Sequence, residues 1–247
     1  MSTIAIFGGG RMAQAIVQAA RRLNLDLAVT TVVSRHRPEW LDELTMAPAW
    51  CDSLETLTAI PDVLIDFTLP QGTLVAAQWC EAQRVPLLSG VTGLGDRELD
   101  ALESAGKVVP VLWSANLGLG INVLADLARR AASMLGSDVP VTILDIHHQW
   151  KKDAPSGTAL MLGGKIDAGR GQAEGGLSIQ YENIREGEVI GEHQITFQLD
   201  DEVITLTHAA QNRTVFAKGA LTAAGWLLNR SAGLYSAGDW MGDTQTE

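Results

Sequence analysis

The chain has 247 residues, 46 % hydrophobic and 19 % charged, with a formal net charge of −11. That composition excludes a disordered chain and opposes nucleic acid or an anionic membrane as partner. No apolar run reaches the roughly 20 residues of a membrane helix, the opening Met1-Ser-Thr-Ile-Ala-Ile-Phe-Gly8 lacks the marks of a signal peptide, and Cys51 and Cys80 fit no metal-ligand spacing, so the expectation is a cytoplasmic, metal-free protein with unpaired thiols.

Thr3 to Phe7 predicts a strand running into Gly8-Gly9-Gly10-Arg11-Met12-Ala13 and then a helix carrying Ala15, Ile16, Val17, Ala19, Ala20 and Leu23. This is Gly-x-Gly-x-x-Ala between strand and helix. Gly8 permits a tight turn, Gly10 lets the backbone approach a pyrophosphate, and Ala13 lets the helix pack on the strand, with phosphate at the positive helix end. A second strand, 27–33, ends at Ser34-Arg35-His36-Arg37. An acidic side chain there would bond the ribose hydroxyls of NAD, whereas a hydroxyl and an arginine favour the 2′-phosphate of NADP.

Residues 38–60 read as a variable connection. A buried strand, 62–66, ends at Phe67-Thr68, and a helix follows over 72–84 with Leu74, Val75 and Trp79 as its expected inner face. Strand 86–89 leads to Gly90-Val91-Thr92-Gly93, then helix 95–106 and strand 107–113, ending at Ser114-Ala-Asn116. Ligands of such a sheet lie beyond the carboxyl ends of its strands, so these strand ends form the candidate cofactor site.

The second half opens with an amphipathic helix, 121–135, and an apolar strand, 139–146. Next come two histidines, two lysines and a Ser-Gly-Thr turn in the run Asp145-Ile-His147-His148-Gln-Trp-Lys151-Lys152-Asp153-Ala-Pro-Ser-Gly157-Thr158-Ala159. Imidazoles exchange protons near neutral pH, ammonium groups attract carboxylates, and a helix entrance binds anions. These groups describe a pocket for an acidic small molecule undergoing proton transfer. Helix 158–166 is expected to end in a mobile glycine-rich segment, 163–176, with strands over 177–183, 189–199 and 203–209 forming a mainly antiparallel sheet. Arg185 and His193 fit either substrate-side groups or a hydrogen-bonded structural turn. A last helix, 215–228, returns to the first half.

The run His147-His148-x-x-Lys151-x-Asp153-Ala-Pro-Ser-Gly-Thr-Ala resembles the signature of the dihydrodipicolinate reductase family, nicotinamide-dependent enzymes of the diaminopimelate and lysine pathway. The likeness recurs from residue 8 to about 241: Gly10-Arg11-Met12, Asp66-Phe67-Thr68 with Pro70, Gly90-x-Thr92-Gly93 and Asn116 all match family segments. Asp145 stands where Glu is expected, Val91 where Thr is, and Gly118 where Ser is.

The resemblance implies His147 and Lys151 as the catalytic pair, with His148, Gly157 and Thr158 on the substrate. It also implies cofactor contacts from Gly8, Gly9, Gly10, Arg11, Met12, Ser34, Arg35, Phe67, Thr68, Gly90, Thr92, Ser114 and Asn116. The implied fold is α/β: an N-terminal Rossmann-like parallel-sheet domain, 1–117 with 213–247 returning to it, and a C-terminal α+β domain, 118–212, with a mainly antiparallel sheet for substrate binding and oligomerisation. The implied activity is reduction of a cyclic dicarboxylate, in a homotetramer; Ser34-Arg35, with no acid at that strand end, makes NADPH the expected cofactor in preference to NADH. Another two-domain NAD(P)-dependent dehydrogenase and a non-catalytic nucleotide sensor are the alternatives, and neither requires the histidine–lysine signature.

Overall fold

Short Val-, Ile- and Leu-rich segments build the first sheet: β1 (Ser2–Phe7), β2 (Leu27–Val33), β3 (Ala49–Cys51), β4 (Val63–Asp66), β5 (Leu87–Ser89), β6 (Pro110–Trp113) and, late in the chain, β11 (Gly233–Tyr235). All seven run parallel, in the order β11-β6-β5-β4-β1-β2-β3. The computed structural model describes residues 1–23, 25–171 and 176–243, and the chain divides into Met1–Gly118 with Thr214–Glu247, and Leu119–Arg213.

Side chains alternate across a strand, so Ile4 and Ile6 of β1 enter one core and Ala5 the other. The first core is closed by α1 (Arg11–Arg22) and α6 (Thr214–Leu227) through Ile16, Ala220, Leu221 and Ala224, the second by α2 (Pro70–Gln83) and α3 (Asp96–Gly106) through Ala76, Ala77 and Leu102. Each fully buried Ile or Leu is worth about 1.5–3 kcal/mol, so this three-layer packing holds the strand ends in fixed positions. Because β1 lies between β2 and β4, the strand order reverses there, and this is the switch point at whose carboxyl ends sheets of this kind bind their ligands.

Two expectations for this unit are corrected. The inner face of α2 is Thr73, Ala76, Ala77 and Cys80, while Val75 is 42 % exposed and Leu74 and Trp79 are only half-buried. The small residues at that spacing let the helix sit close to the sheet; Trp79 packs against the edge of the same core, while Val75 is left outside. The connection 38–60 also contributes structure: β3 extends the sheet, and two single-turn 3-10 helices, Glu39–Leu41 and Leu54–Thr56, bury Leu41 and Leu54.

The second unit contains α4 (Leu119–Leu135), β7 (Val141–His147), α5 (Gly157–Arg170), β8 (Gln180–Arg185), β9 (Glu192–Gln198) and β10 (Val203–Ala209). Its sheet has the order β10-β9-β7-β8, antiparallel except for the parallel pair β7 and β8. Val141 and Ile143 of β7 and Ile195 and Phe197 of β9 point to one face and pack under α4 and α5 with Ile121, Ala128, Leu162 and Ile166. On the other face, among the described residues of this unit, no helix packs.

The glycine-rich stretch is a further correction. Helix α5 runs through Gly163, Gly164 and Gly169 to Arg170, and only 172–175 of the expected mobile segment lie outside the described residues. Two of these glycines serve packing instead: a Cβ on Gly163 would strike the Tyr181 hydroxyl, and one on Gly169 would strike the backbone carbonyl of Arg129 in α4. Close helix packing and a loop ask for the same residue, which is why composition alone misreads this segment. The expected strands 177–183 and 189–199 settle at β8 and β9, both starting three residues later.

Candidate active site

Strand β7 carries Asp145 and His147 two residues apart, so both side chains leave the same face, at the polar end of the row that begins with Val141 and Ile143. Both are buried, Asp145 completely. Ser156 donates its backbone N–H to Asp145 Oδ2 and its hydroxyl to Oδ1, each at 2.8 Å, and the Arg185 guanidinium donates to Oδ2 at 2.8 Å. His147 Nδ1 lies 2.9 Å from Asp145 Oδ1, a charge contact off the ideal hydrogen-bond line, and His193 Nε2 lies 3.2 Å from the same oxygen. The strand register explains the convergence, since Asp145 is directly opposite His193 on β9 and His147 directly opposite Arg185 on β8.

Burial alone would push the Asp145 carboxyl up. The contacts from His147, His193, Arg185 and Ser156 outweigh it and hold the group far below the ordinary carboxylate range, so it is ionised. His193 is pushed down by burial, against the pull of Asp145 and with the repulsion of His147 and Lys151. Asp145, His147 and His193 bring one potential ligand atom each within 4.8 Å of one another. The guanidinium beside the carboxylate would repel a divalent ion, so the cluster reads as a proton-bearing one.

The loop after β7 presents the remaining groups. Lys151 N–H donates to the His148 carbonyl at 3.0 Å, a turn that lets the Lys151 ammonium reach Asp153 at 2.8 Å with about a quarter of the side chain, 23 %, exposed. Lys152 is exposed. The His148 ring stands 5.8 Å from the Trp150 ring. Ser156 then caps α5 by accepting the Ala159 N–H at 3.1 Å, which makes Gly157 and Thr158 the first helical residues, at the positive end of a 14-residue helix. Ser156 thus both caps the helix and clamps Asp145.

In the first unit the expected cofactor residues occupy the carboxyl ends of neighbouring strands. Gly8 has φ +120°, and a Cβ there would meet the Phe67 carbonyl at 2.6 Å, so only glycine fits. A Cβ on Gly9 would meet Ser34 Oγ and Pro38 at 2.8 Å, whereas Gly10, the N-cap of α1, faces open space ahead of Arg11 and Met12. This open glycine backbone at a helix N-terminus fits the pyrophosphate of a dinucleotide.

Ser34 donates its hydroxyl to the His36 carbonyl at 2.9 Å, curling the loop after β2; Arg37 is tied to Asp42 at 2.8 Å, while Arg35 is exposed. Buried Asp66 organises the next two strand ends. Its carboxylate accepts from Thr68 Oγ1 (2.6 Å), Thr68 N (3.0 Å), Thr73 Oγ1 (2.7 Å) and Ser89 Oγ (3.0 Å). Burial pushes its carboxyl up, and these donors offset part of that rise. Gly90 donates its N–H to the Asp66 carbonyl at 2.9 Å and lies against the Phe67 ring, Thr92 is exposed, and Ser114 donates to the Asn116 carbonyl at 2.7 Å. Asn116 Oδ1 accepts from Gly118 N–H at 2.9 Å, so the backbone at 118 takes part without a hydroxyl there.

Sequence reasoning named His147, His148, Lys151, Gly157 and Thr158 and placed Asp66 at a candidate strand end without its clamping role, but gave Asp145 only as a departure, left Arg185 and His193 open, and gave Ser156 no role. The one available signal was the two-residue spacing of Asp145 and His147 within an apolar strand.

A glycine loop at a switch point of the parallel sheet in one unit and a buried imidazole–carboxylate cluster in the other together define a nicotinamide-dependent oxidoreductase. Residues 2–117 match the family model described as Dihydrodipicolinate reductase, N-terminus, and residues 120–241 the one described as Dihydrodipicolinate reductase, C-terminus. The chain belongs to the dihydrodipicolinate reductase family. It is 35 % identical over 257 residues, 96 % of each chain, to the 4-hydroxy-tetrahydrodipicolinate reductase of Pseudoalteromonas translucida. It is 36 % identical over 252 residues, 96 % of this chain and 95 % of the relative, to the reductase of the same name from Zymomonas mobilis. Among solved structures, a dipicolinate-bound dihydrodipicolinate reductase from Paenisporosarcina sp. TG-14 superposes with a TM-score of 0.77 at 25 % identity, covering 96 % of this chain and 97 % of that one. The alternatives of another dehydrogenase or a nucleotide sensor are not favoured. No helix among the described residues is long and apolar enough to cross a membrane.

Proposed function

We propose that this protein is a 4-hydroxy-tetrahydrodipicolinate reductase of the diaminopimelate route to lysine, reducing the dehydrated cyclic dicarboxylate to tetrahydrodipicolinate with NADPH in preference to NADH. The observation that carries this reading is the short span from Asp145 to Thr158, which combines a carboxylate-held imidazole, an ammonium group and a helix N-terminus. When bound, the nicotinamide supplies the hydride. The protein must then bind two substrate carboxylates, stabilise negative charge growing on the conjugated ring, and deliver a proton.

Gly157 and Thr158 hold one carboxylate at the positive end of α5. His148 orients the ring, Lys151 places its ammonium against the developing charge, and His147 donates the proton. Gly8 to Met12 would cradle the pyrophosphate, Ser34 and Arg35 would take the 2′-phosphate, and Phe67, Thr68, Gly90, Thr92, Ser114 and Asn116 would line the nicotinamide half. The dipicolinate in the solved relative is a planar ring dicarboxylate, the class of ligand these groups suit.

The test is oxidation of NADPH and NADH with and without the cyclic dicarboxylate. His147→Ala and Lys151→Ala should each lower kcat by at least about a hundredfold and leave NADPH affinity by calorimetry nearly unchanged, with Lys152→Ala much milder. Arg35→Ala should lower kcat/KM for NADPH more than for NADH. A crippled Lys152→Ala beside an active Lys151→Ala would overturn the residue assignment, and a several-fold NADH preference insensitive to Arg35→Ala would overturn the cofactor assignment.

A further inference from the structure

We propose that Asp145 and His193 are positioning residues that set the tautomer and acidity of His147, with the two imidazoles sharing a single carboxylate oxygen. The inference rests on the reading of His147 as proton donor and goes beyond it to what makes that imidazole a usable acid.

Asp145 cannot turn away from its partners. Oδ2 is held by the Ser156 N–H and the Arg185 guanidinium, each at 2.8 Å, and Oδ1 by the Ser156 hydroxyl at 2.8 Å. Onto the fixed Oδ1 come His147 Nδ1 at 2.9 Å and His193 Nε2 at 3.2 Å, with the two rings edge to face and their centroids 5.2 Å apart. A bare nitrogen lone pair against a carboxylate oxygen at these distances would be repelled, so the proton sits on Nδ1 of His147 and on Nε2 of His193. The two neighbours therefore hold opposite tautomers, and the proton His147 can release is the one on Nε2. That nitrogen lies against Gly191, where a Cβ would meet it at 3.0 Å; glycine leaves the atom room.

A carboxylate's pull on an imidazolium weakens when other donors share its charge. Here its charge is divided among His147, His193, Arg185 and Ser156. The charged and titratable groups around His147 are Asp145 on its own strand, Arg185 on β8, His193 on β9 with His208 of β10 opposite it, and the Lys151–Asp153 pair from the loop. Removing His193 leaves the carboxylate more fully to His147, and removing the carboxylate's charge does the reverse.

The experiment is the pH profile of kcat/KM with saturating cofactor, together with long-range proton–nitrogen spectra of the histidines in the ligand-free protein. His193→Leu should move the basic limb up, and Asp145→Asn should move it down, each by about one pH unit. His193→Gln, whose amide nitrogen replaces Nε2–H, should restore the limb. In the wild type, the spectra should show the Nδ1–H tautomer for neutral His147 and the Nε2–H tautomer for His193, a result that needs no variant to fold. Limbs that move in the same direction or not at all, or identical tautomers for the two rings, would overturn the proposal. Were His147→Ala to retain full activity, the proton-donor reading would fall. The His147 titration in the spectra would still decide the coupling: an upward shift in His193→Leu supports it and an unmoved one refutes it.

Discussion

Asp145 gathers contacts from Ser156 N, Ser156 Oγ, Arg185, His147 and His193 onto one fully buried carboxylate. Such a charge tolerates burial only because both oxygens are satisfied, and removing one partner of a buried pair typically costs about 3–5 kcal/mol. Its neighbour gives the site a pH signature. Burial pushes His193 down, so the unfolded chain takes up a proton there at a pH where the folded chain does not. Stability from this group is complete above the unfolded value of about 6.5 and is lost as pH falls from there through the folded value. Asp145 has the same sign, but its loss begins only as pH falls through the unfolded carboxylate value of about 3.9 and continues down to a folded carboxyl far below the ordinary range. His193→Gln should flatten the fall of Tm between about pH 6.5 and 5, measured by thermal denaturation; an unchanged slope would mean that His193 protonates alike in both states. At this scale the sequence exposed the groups proposed to meet a ligand but not those holding them. Histidine and lysine advertise chemistry by type, whereas the roles of Arg185 and His193 follow from strand register, which no local spacing encodes.

Strands and helices were legible where one face is buried and the other wet. The apolar, β-branched run 139–146 marked β7, and the glycine loop marked the turn from β1 to α1. Legibility failed where small residues do the packing, as on the Ala-rich inner face of α2 and through the glycines of α5. The latter gives a sharp contrast between neighbouring positions. A Cβ on Gly169 would run into the Arg129 backbone carbonyl, which cannot yield without moving α4, while one on Gly164 meets nothing within 4 Å. Gly169→Ala should destabilise by about 1–3 kcal/mol. Gly164→Ala should stabilise by about 0.5–1 kcal/mol, since alanine fits a helix interior better than glycine. Urea unfolding would measure both, and equal effects at the two sites would contradict the packing role assigned to Gly169.

For the molecule as a whole, the sheet of Leu119–Arg213 raises the question of assembly. Its helix-free face carries half-buried Leu144 and Ile146 on the central strand, flanked by exposed Ile184 and half-buried Gln194 and Thr196. A mixed apolar and hydroxyl surface on an uncovered sheet face suits pairing with a second copy, as the homotetramer implied by the family resemblance would require. Light scattering should give about four chain masses, with Ile146→Lys reducing the assembly; a wild-type monomer would exclude it. Connectivity has a different consequence. The first unit is interrupted, since Ala217, Ala220, Leu221, Ala224, Leu227 and Trp240 complete its core and β11 completes its sheet, all after the second unit has been spelled out. On the ribosome, the segment that begins first is thus the last to close: the inserted unit can fold while the glycine-loop sheet still shows one apolar face to the cell.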